Sequence, residues 1–595
     1  MPQSGNRWRI PMSMKGLAAL AIAALCGAAG AQISIGPVDL PDVPGGYPSD
    51  RIVVQFKEGV EPVNVPYFGP QTGIAEVDAL SAKWEVLSID PYSPSGYANK
   101  ALADKLGLSR TYIIRVPKYT DVKVMEREYD RAPGVEYAEF VGIGAPALVP
   151  NDANIANCWG LNNTGQTGGT PDADIDAYEG WDTFTGYGNI TLAVVDTGVD
   201  PNHPEMAGKM VSGWNTYLNN GNTFDVYGHG THVAGTAGAN GNNSVGLAGV
   251  SWRVKIMPMK VLSDSGNGSE DQCGAGMVWA ADNGANIATM SLQYYTGAQS
   301  FQNSVNYAYG QGVLLIAATG NSQGRRVAYP AKFANCYAVG ATNHTDARAS
   351  FSNYGPEIDV VAPGENVYSC IPGNSYAYYS GTSMATPHTS GLASLIWSFD
   401  RGLTNDEVFD VIRDTAEDKG AGGWDEQYGW GRINARRALD RALLDIAFPT
   451  SIALDRGGYI SGVLSDANNS DDMLYVIGGS GAPQISGPPI RAIVTGVSPR
   501  LLPSKLQFLI EAKANKTGIS QKIELKNMLN GQWELVDTRG IGTSDALAVI
   551  SITVNPARFI GNAGQVQARI SYLDSAPGVT APRVSLDQAR WSVRE

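Results

Sequence analysis

Three side chains in this sequence have the types and settings that nucleophilic catalysis needs. Ser383 lies in Ser380-Gly381-Thr382-Ser383-Met384-Ala385-Thr386-Pro387-His388, a glycine-containing turn ahead of the helix-like run Gly391–Trp397. A hydroxyl at a helix start sits near unpaired backbone N–H groups and the positive end of the dipole. Such a place suits a nucleophile and the oxyanion it creates. His229 opens the small-residue stretch Gly228-His229-Gly230-Thr231-His232-Val233-Ala234-Gly235-Thr236. The chain holds five histidines, so few groups can act as a base near neutral pH. Asp196 closes the apolar run Thr191-Leu192-Ala193-Val194-Val195. Together they supply a nucleophile, a base to take its proton and a carboxylate to fix the imidazole tautomer. Asn321, in Ala317-Ala318-Thr319-Gly320-Asn321, can aim its amide at an oxyanion, with the Ser383 N–H as second donor. Loss of such a donor costs roughly 3–4 kcal/mol of barrier. Taken singly, each of the four also has an ordinary reading as a cap, a turn residue or a structural histidine.

The elements that must position them follow from the pattern. Thr191–Val195 and Val313–Ile316 are short apolar runs bounded by turn residues, which read as buried parallel strands. Ligands of open α/β sheets bind at the carboxyl ends of such strands, where Asp196 and Asn321 fall. The stretch after His229 reads as a helix whose small residues allow close packing on the sheet.

The stretches LAVVDTGVDPNHPE, GHGTHVAGT, AATGN and GTSMATPH resemble the subtilisin-like serine peptidases, the subtilases, over roughly residues 150–445. The order Asp, His, Ser is also the subtilisin order. The resemblance implies an α/β fold with a parallel sheet flanked by helices. It implies a serine endopeptidase using Asp196, His229, Ser383 and Asn321 through an acyl-enzyme. It further implies peptide-binding segments at Gly266, Asn267 and Gly268 and at Ser291, Leu292 and Gln293, with Ala328 at the specificity pocket. Main-chain pairing to such segments tolerates many sequences. Here the chain departs from its relatives, with Gln293-Tyr294-Tyr295 where two glycines are usual and Ser322 where an acid is often found. A pocket narrower than subtilisin's, without an acid of its own, is expected. A structural calcium is expected at Asp174, Glu205 and Asn243, hard oxygen donors that match a family site, with Glu205 where aspartate is usual. Two other chemistries match single motifs. An aspartic-protease pair of Asp196 and Asp264 leaves the histidine, asparagine and serine stretches unexplained. Zinc on His229 and His232 lacks the glutamate of His-Glu-x-x-His, Gly230 standing in its place. An esterase with the same triad and a catalytically silent binding scaffold are the remaining alternatives.

Length and composition set the frame. The chain has 595 residues, 43% of them hydrophobic, and a formal net charge of −14. Such an acidic balance disfavours nucleic-acid binding. Arg7, Arg9 and Lys15, the apolar stretch Gly16–Ala24 and Ala29-Gly30-Ala31 read as a cleaved export signal, too short to span a membrane. The expected protein is secreted, with no membrane span after signal cleavage. Excluding Cys26, four cysteines allow three pairings in an exported protein, and Cys336–Cys370 with Cys158–Cys273 is the expected one. The expected division is a signal peptide (1–31), a small α+β propeptide (32–150), the peptidase (151–445) and a C-terminal β-sandwich (446–595). Residues 51–57 and 111–116 read as strands, 122–130 as a helix and 133–140 as a turn into a last strand. That order resembles the subtilase propeptide, an intramolecular inhibitor that assists folding, with maturation expected between Phe140 and Asn157. Beyond residue 448, strand-like runs at 506–512, 521–525, 548–554 and 566–572 alternate without helical period, as in a sandwich.

Overall fold

The computed structural model describes residues 50–60, 62–65, 69–117, 120, 122–140, 148–468, 474–479, 488–562, 564–574 and 581–594. The expected signal segment lies outside them. The first sheet is antiparallel and contains β1 (Arg51–Phe56), β2 (Ser88–Pro91), β3 (Thr111–Arg115) and β4 (Val135–Phe140), in the order β2-β3-β1-β4. Helices α1 (Ala75–Lys83) and α2 (Val122–Asp130) pack on it. Val122, Met125 and Tyr129 recur at helical spacing and share one apolar core with Ile52, Val54 and Phe56 of β1.

The second sheet is parallel throughout, with β5 (Thr191–Asp196), β6 (Trp214–Asn215), β7 (Lys255–Lys260), β8 (Ile287–Met290), β9 (Leu314–Ala318), β10 (Tyr337–Thr342) and β11 (Val360–Pro363). Its order is β11-β10-β9-β8-β5-β7-β6. Side chains alternate between the two faces, so both faces must be covered and the strands read as unbroken apolar runs. Leu192 and Val194 of β5 face one core, which holds α3 (His229–Gly238) and α6 (Thr382–Phe399). Ala193 and Val195 face the other, which holds α4 (Glu270–Asp282) and α5 (Gln299–Gly310). Gly391 lets α6 approach α3, since a Cβ there would stand 2.6 Å from the Ala237 carbonyl oxygen.

These two cores correct the expected disulfides. The four cysteines among the described residues, Cys158, Cys273, Cys336 and Cys370, are free, buried thiols. Cys158 and Cys370 belong to the first core, and Cys273 and Cys336 to the second. The pairs Cys336–Cys370 and Cys158–Cys273 would each have to join opposite faces of the sheet. Burial pushes all four thiols up from their ordinary range, which keeps them protonated.

Beyond the parallel sheet, α7 (Asn405–Asp414) and α8 (Ala435–Leu443) lead into two antiparallel sheets. A hairpin, β12 (Val367–Ile371) and β13 (Ser375–Tyr379), precedes α6. The C-terminal strands are β14 (Ile446–Ala447), β15 (Pro449–Arg456), β16 (Gly458–Ser461), β17 (Tyr475–Gly478), β18 (Ile490–Val497), β19 (Lys505–Ala514), β20 (Ile519–Lys526), β21 (Trp533–Ile541), β22 (Ala546–Ile552), β23 (Gln565–Asp574) and β24 (Arg583–Arg594). One sheet runs β16-β17-β24-β19-β22, with β14 on β24, and the other β15-β18-β23-β20-β21. Their inner faces share one core, from Phe508 and Trp591 on one sheet to Ile523 and Ile570 on the other. This sheet pair is joined to α6 by charge. Asp400, which caps the end of α6, accepts from Ser592 at 3.0 Å and from Arg594 at 2.5 Å. Arg594 and Lys505 also pair with Glu407 of α7, at 2.7 and 3.1 Å. Among the described residues, no helix is long and apolar enough to cross a membrane.

Candidate active site

Asp196, His229, Asn321 and Ser383 come from four elements that meet at the carboxyl end of the parallel sheet. Asp196 is the last residue of β5 and is fully buried. Its Oδ1 accepts from the Thr197 N–H at 2.7 Å and from His229 Nδ1 at 2.8 Å. His229 is the first residue of α3, with Gly228 ahead of it in a left-handed conformation (φ 99°). Gly230 lets the helix start close to the strand, because a Cβ there would meet the Gly198 carbonyl and Asp196. Burial of the imidazole favours its neutral form. The charge of Asp196, the bond to it and the charge of Asp225 outweigh that, so the His229 pKa is raised above 6.5.

A second buried aspartate, not singled out by sequence, holds this corner together. Asp225 accepts from Thr197 Oγ1 and the Gly228 N–H through one oxygen, each at 2.8 Å. Its other oxygen accepts from the N–H and hydroxyl of Thr231, at 2.8 and 2.7 Å. Both oxygens are therefore bonded twice, which locks the turn before α3 against the end of β5.

Ser383 is in the first turn of α6, where Pro387 supplies no N–H to the Ser383 carbonyl four residues before it. The freed carbonyl accepts instead from Ser291 Oγ at 2.8 Å. In return Ser383 Oγ donates to the Ser291 carbonyl at 3.1 Å. This reciprocal clasp ties the serine to the segment after β8. Among the described residues, no hydrogen bond joins Ser383 Oγ to His229. Catalytic bonds of this kind are often long or misaligned without substrate. Asn321 follows β9. Its Oδ1 accepts from the Thr382 N–H at 2.9 Å and from Thr382 Oγ1 at 3.0 Å. That orients the amide, and among the described residues its nitrogen makes no hydrogen bond. Asn321 Nδ2 and the Ser383 N–H both lie beside Gly381, 3.4 and 3.6 Å from where a Cβ there would stand.

The remaining histidines of the two helices are placed differently. His232 is buried, its Nε2 against the carbonyls of Val367 and Ala377, and burial pushes its pKa down to about 3. His388 is buried in α6 and pushed down to about 4. Both are neutral at ordinary pH. The zinc alternative therefore finds His232 committed to backbone carbonyls.

The expected substrate residues lie in two segments, one after β7 and one after β8, with Ala328 further along the chain. Ser291, Leu292 and Ala328 are buried, whereas Gln293 and Asn267 are exposed. The Ser263–Asn267 segment is a turn, with the Ser263 N–H bonded to the Asn267 carbonyl at 2.8 Å. Gly266 is left-handed (φ 79°) beneath the ring of Tyr227, and Gly268 packs against the Val261 carbonyl.

The expected calcium ligands do not all meet. Glu205 and Asn243 do, with Asn243 Nδ2 3.1 Å from Glu205 Oε2. Asp174 is engaged in its own loop, accepting from the N–H groups of Asn163 at 2.6 Å and Asp176 at 2.7 Å. The carboxylate beside Asn243 is instead Asp152, which accepts from the N–H groups of Asn242 and Asn243 at 2.8 and 3.2 Å. It lies between Phe140 and Asn157, where no motif in the sequence singles it out. Burial raises the pKa of both Asp152 and Glu205. Among the described residues, no three His, Cys, Asp or Glu side chains gather as a metal-binding group.

Residues 188–431 match the Subtilase family. The thermophilic serine proteinase of Bacillus sp. strain AK1 is 33% identical over 410 residues, which is 68% of this chain and 91% of that protein. Thermitase of Thermoactinomyces vulgaris is 41% identical over 265 residues, 44% of this chain and 93% of its own. Subtilisin Savinase of Lederbergia lenta is 41% identical over 255 residues, 43% and 92% of the two chains. With relatives matched over nearly their whole length and a parallel sheet flanked by helices, the chain belongs to the subtilase family and is a serine-type peptidase.

Proposed function

We propose that this protein is a secreted endopeptidase that cleaves through an acyl-enzyme on Ser383 and matures by cutting itself. The observation that carries the reading is the Asp196–His229 bond at 2.8 Å, set beside the nearness of Asn321 Nδ2 and the Ser383 N–H to Gly381. A substrate carbonyl carbon is attacked by Ser383 Oγ once that hydroxyl turns from the Ser291 carbonyl to His229 Nε2. His229 takes the proton, and Asp196 holds the other ring nitrogen and stabilises the imidazolium. The carbonyl oxygen, now negative, is bound by Asn321 Nδ2 and the Ser383 N–H. His229 then protonates the leaving amine, and water repeats the sequence on the acyl-enzyme. Gly266–Gly268 and Ser291–Gln293 flank the substrate's extended backbone.

In this reading residues 1–31 direct export and residues 32–150 are a propeptide that inhibits until removed. Residues 151–445 are the peptidase and 446–595 an accessory sandwich. Calcium is the expected structural ion, held by Asp152, Glu205 and Asn243. The fit rests on two carboxylates and an amide, all hard oxygen donors, with burial that a cation would offset. A chelator should then lower the thermal midpoint, and an unchanged midpoint would exclude the ion.

The experiment for the main reading is intact-mass analysis of the wild type beside Ser383→Ala, with fluorophosphonate labelling of both. Loss of the segment before a cut between Phe140 and Asp152 in the wild type alone, with label on the wild type alone, is the expected result. A wild type that neither shortens nor takes the label overturns it.

A further inference from the structure

We infer that Gln293 closes the primary specificity pocket, so that the residue on the acyl side of the cut bond must be glycine, alanine or serine. The inference rests on the proposed role of Ser383 and names the substrate class of that same site. A carbonyl held by Asn321 and the Ser383 N–H carries its own side chain away from the leaving group. That side chain enters the space between the ends of two adjacent strands, Ser291–Gln293 after β8 and Thr319–Asn321 after β9. Ala328 is the floor, fully buried and bonded by its N–H to the Thr319 carbonyl at 2.9 Å.

Gln293 crosses this space from one wall to the other. Its Oε1 accepts from the Asn321 N–H at 3.1 Å. The Tyr295 hydroxyl donates to the same oxygen at 3.3 Å and meets Ser322 Oγ at 2.6 Å. Tyr295 is itself held, with Arg326 4.8 Å above its ring and bonded to its carbonyl at 3.2 Å. The carboxamide is thus fixed by donors from both walls. The room left beneath it is small. A Cβ built on Gly320 would stand 2.9 Å from Gln293 Oε1 and 3.2 Å from Ala328 Cβ. The bridge and the floor therefore cannot be further apart than those two distances laid end to end. An aromatic ring between them needs two van der Waals contacts of about 3.5–4.0 Å each. A methyl or hydroxymethyl group needs less depth and stops at the mouth. The side chains bridging the pocket, Gln293, Tyr295 and Ser322, carry no charge to favour lysine or arginine.

The test compares peptide p-nitroanilides that differ only in alanine or phenylalanine at the acyl position, with fluorophosphonate labelling in parallel. The wild type is expected to favour alanine in kcat/KM by on the order of tenfold or more. Gln293→Gly is expected to shift the phenylalanine-to-alanine ratio upward by at least a similar factor. If Gln293→Gly does not fold, Gln293→Ser carries the same expectation. Enzymes that take the label but favour phenylalanine in the wild type, or keep one ratio in wild type and variant, overturn this inference and leave the triad reading standing. Failure of the wild type to take the label removes both.

Discussion

Asn321 is gripped by its acceptor and left free at its donor, and this division has a measurable consequence. Thr382 holds Oδ1 twice, so the amide nitrogen is aimed before substrate arrives. Asn321→Ala removes a donor whose value is realised mainly as charge develops. It is expected to lower kcat by about 10²–10³ with KM little changed. A loss confined to KM would mean the amide binds substrate without stabilising the oxyanion. The asparagine was legible in the sequence because a glycine precedes it at the end of an apolar strand. Thr382 was not, because a threonine beside a candidate serine carries no pattern of its own. Asp225 was hidden for a similar reason. Its importance is four hydrogen bonds from residues on either side of it in sequence, and nothing in Phe224-Asp225-Val226 announces them.

Helices α3 and α6 each carry a buried histidine behind the residue that reacts, His229 on one and Ser383 on the other, and this makes the pair of helices sensitive to acid. His232 and His388 are held neutral in the fold, with pKa values near 3 and 4. In the unfolded chain both take a proton near 6.5. Between those values the unfolded chain binds more protons, so stability is present above about pH 6.5 and is lost as pH falls toward 4. The raised pKa of His229 works the other way, adding stability at low pH that fades as pH rises through its folded value. Buried carboxylates raised in the fold, Asp359 to about 7 and Asp176 to about 6 among them, work in the same direction as His229, so the two neutral histidines are read by difference. In a Ser383→Ala background, which cannot digest itself, adding His388→Gln is expected to raise the thermal midpoint at pH 4 relative to that at pH 6.5. An identical pH dependence with and without His388→Gln would reject the argument. The parallel strands and the helices bearing His229 and Ser383 were readable, since apolar runs and small-residue stretches follow from two-sided burial. The outer strands β15 and β21 were not read, because each is half-exposed at a sheet edge and its apolar alternation is weak.

The described residues belong to one compact unit, and the junction between α6 and the C-terminal sheets explains why no linker separates them. Strand β24 was missed for the same reason. Its apolar alternation, Val584 and Leu586 and then Ala589, Trp591 and Val593, slips by one residue at an irregularity near Asp587, and Gln588, Arg590, Ser592 and Arg594 are buried polar side chains between the apolar ones. Two of its polar side chains find their partner at Asp400, 192 and 194 residues away, a pairing no local pattern can carry. Arg594→Ala would leave the Asp400 side chain, only 2% exposed, without its guanidinium. A cost of about 3–5 kcal/mol is expected, read as a lower midpoint for loss of peptidase activity. A change below about 1 kcal/mol would mean the sandwich is an independent appendage. The junction also has a temperature dependence of its own. Hydration of charged groups weakens on heating, so the penalty for burying them falls, while the gain per unit of apolar area levels off. The seam of Asp400, Glu407, Arg594 and Lys505 thus loses less of its hold on warming than the apolar cores on either side. Heat should melt this molecule from within its layers before it parts them at the seam.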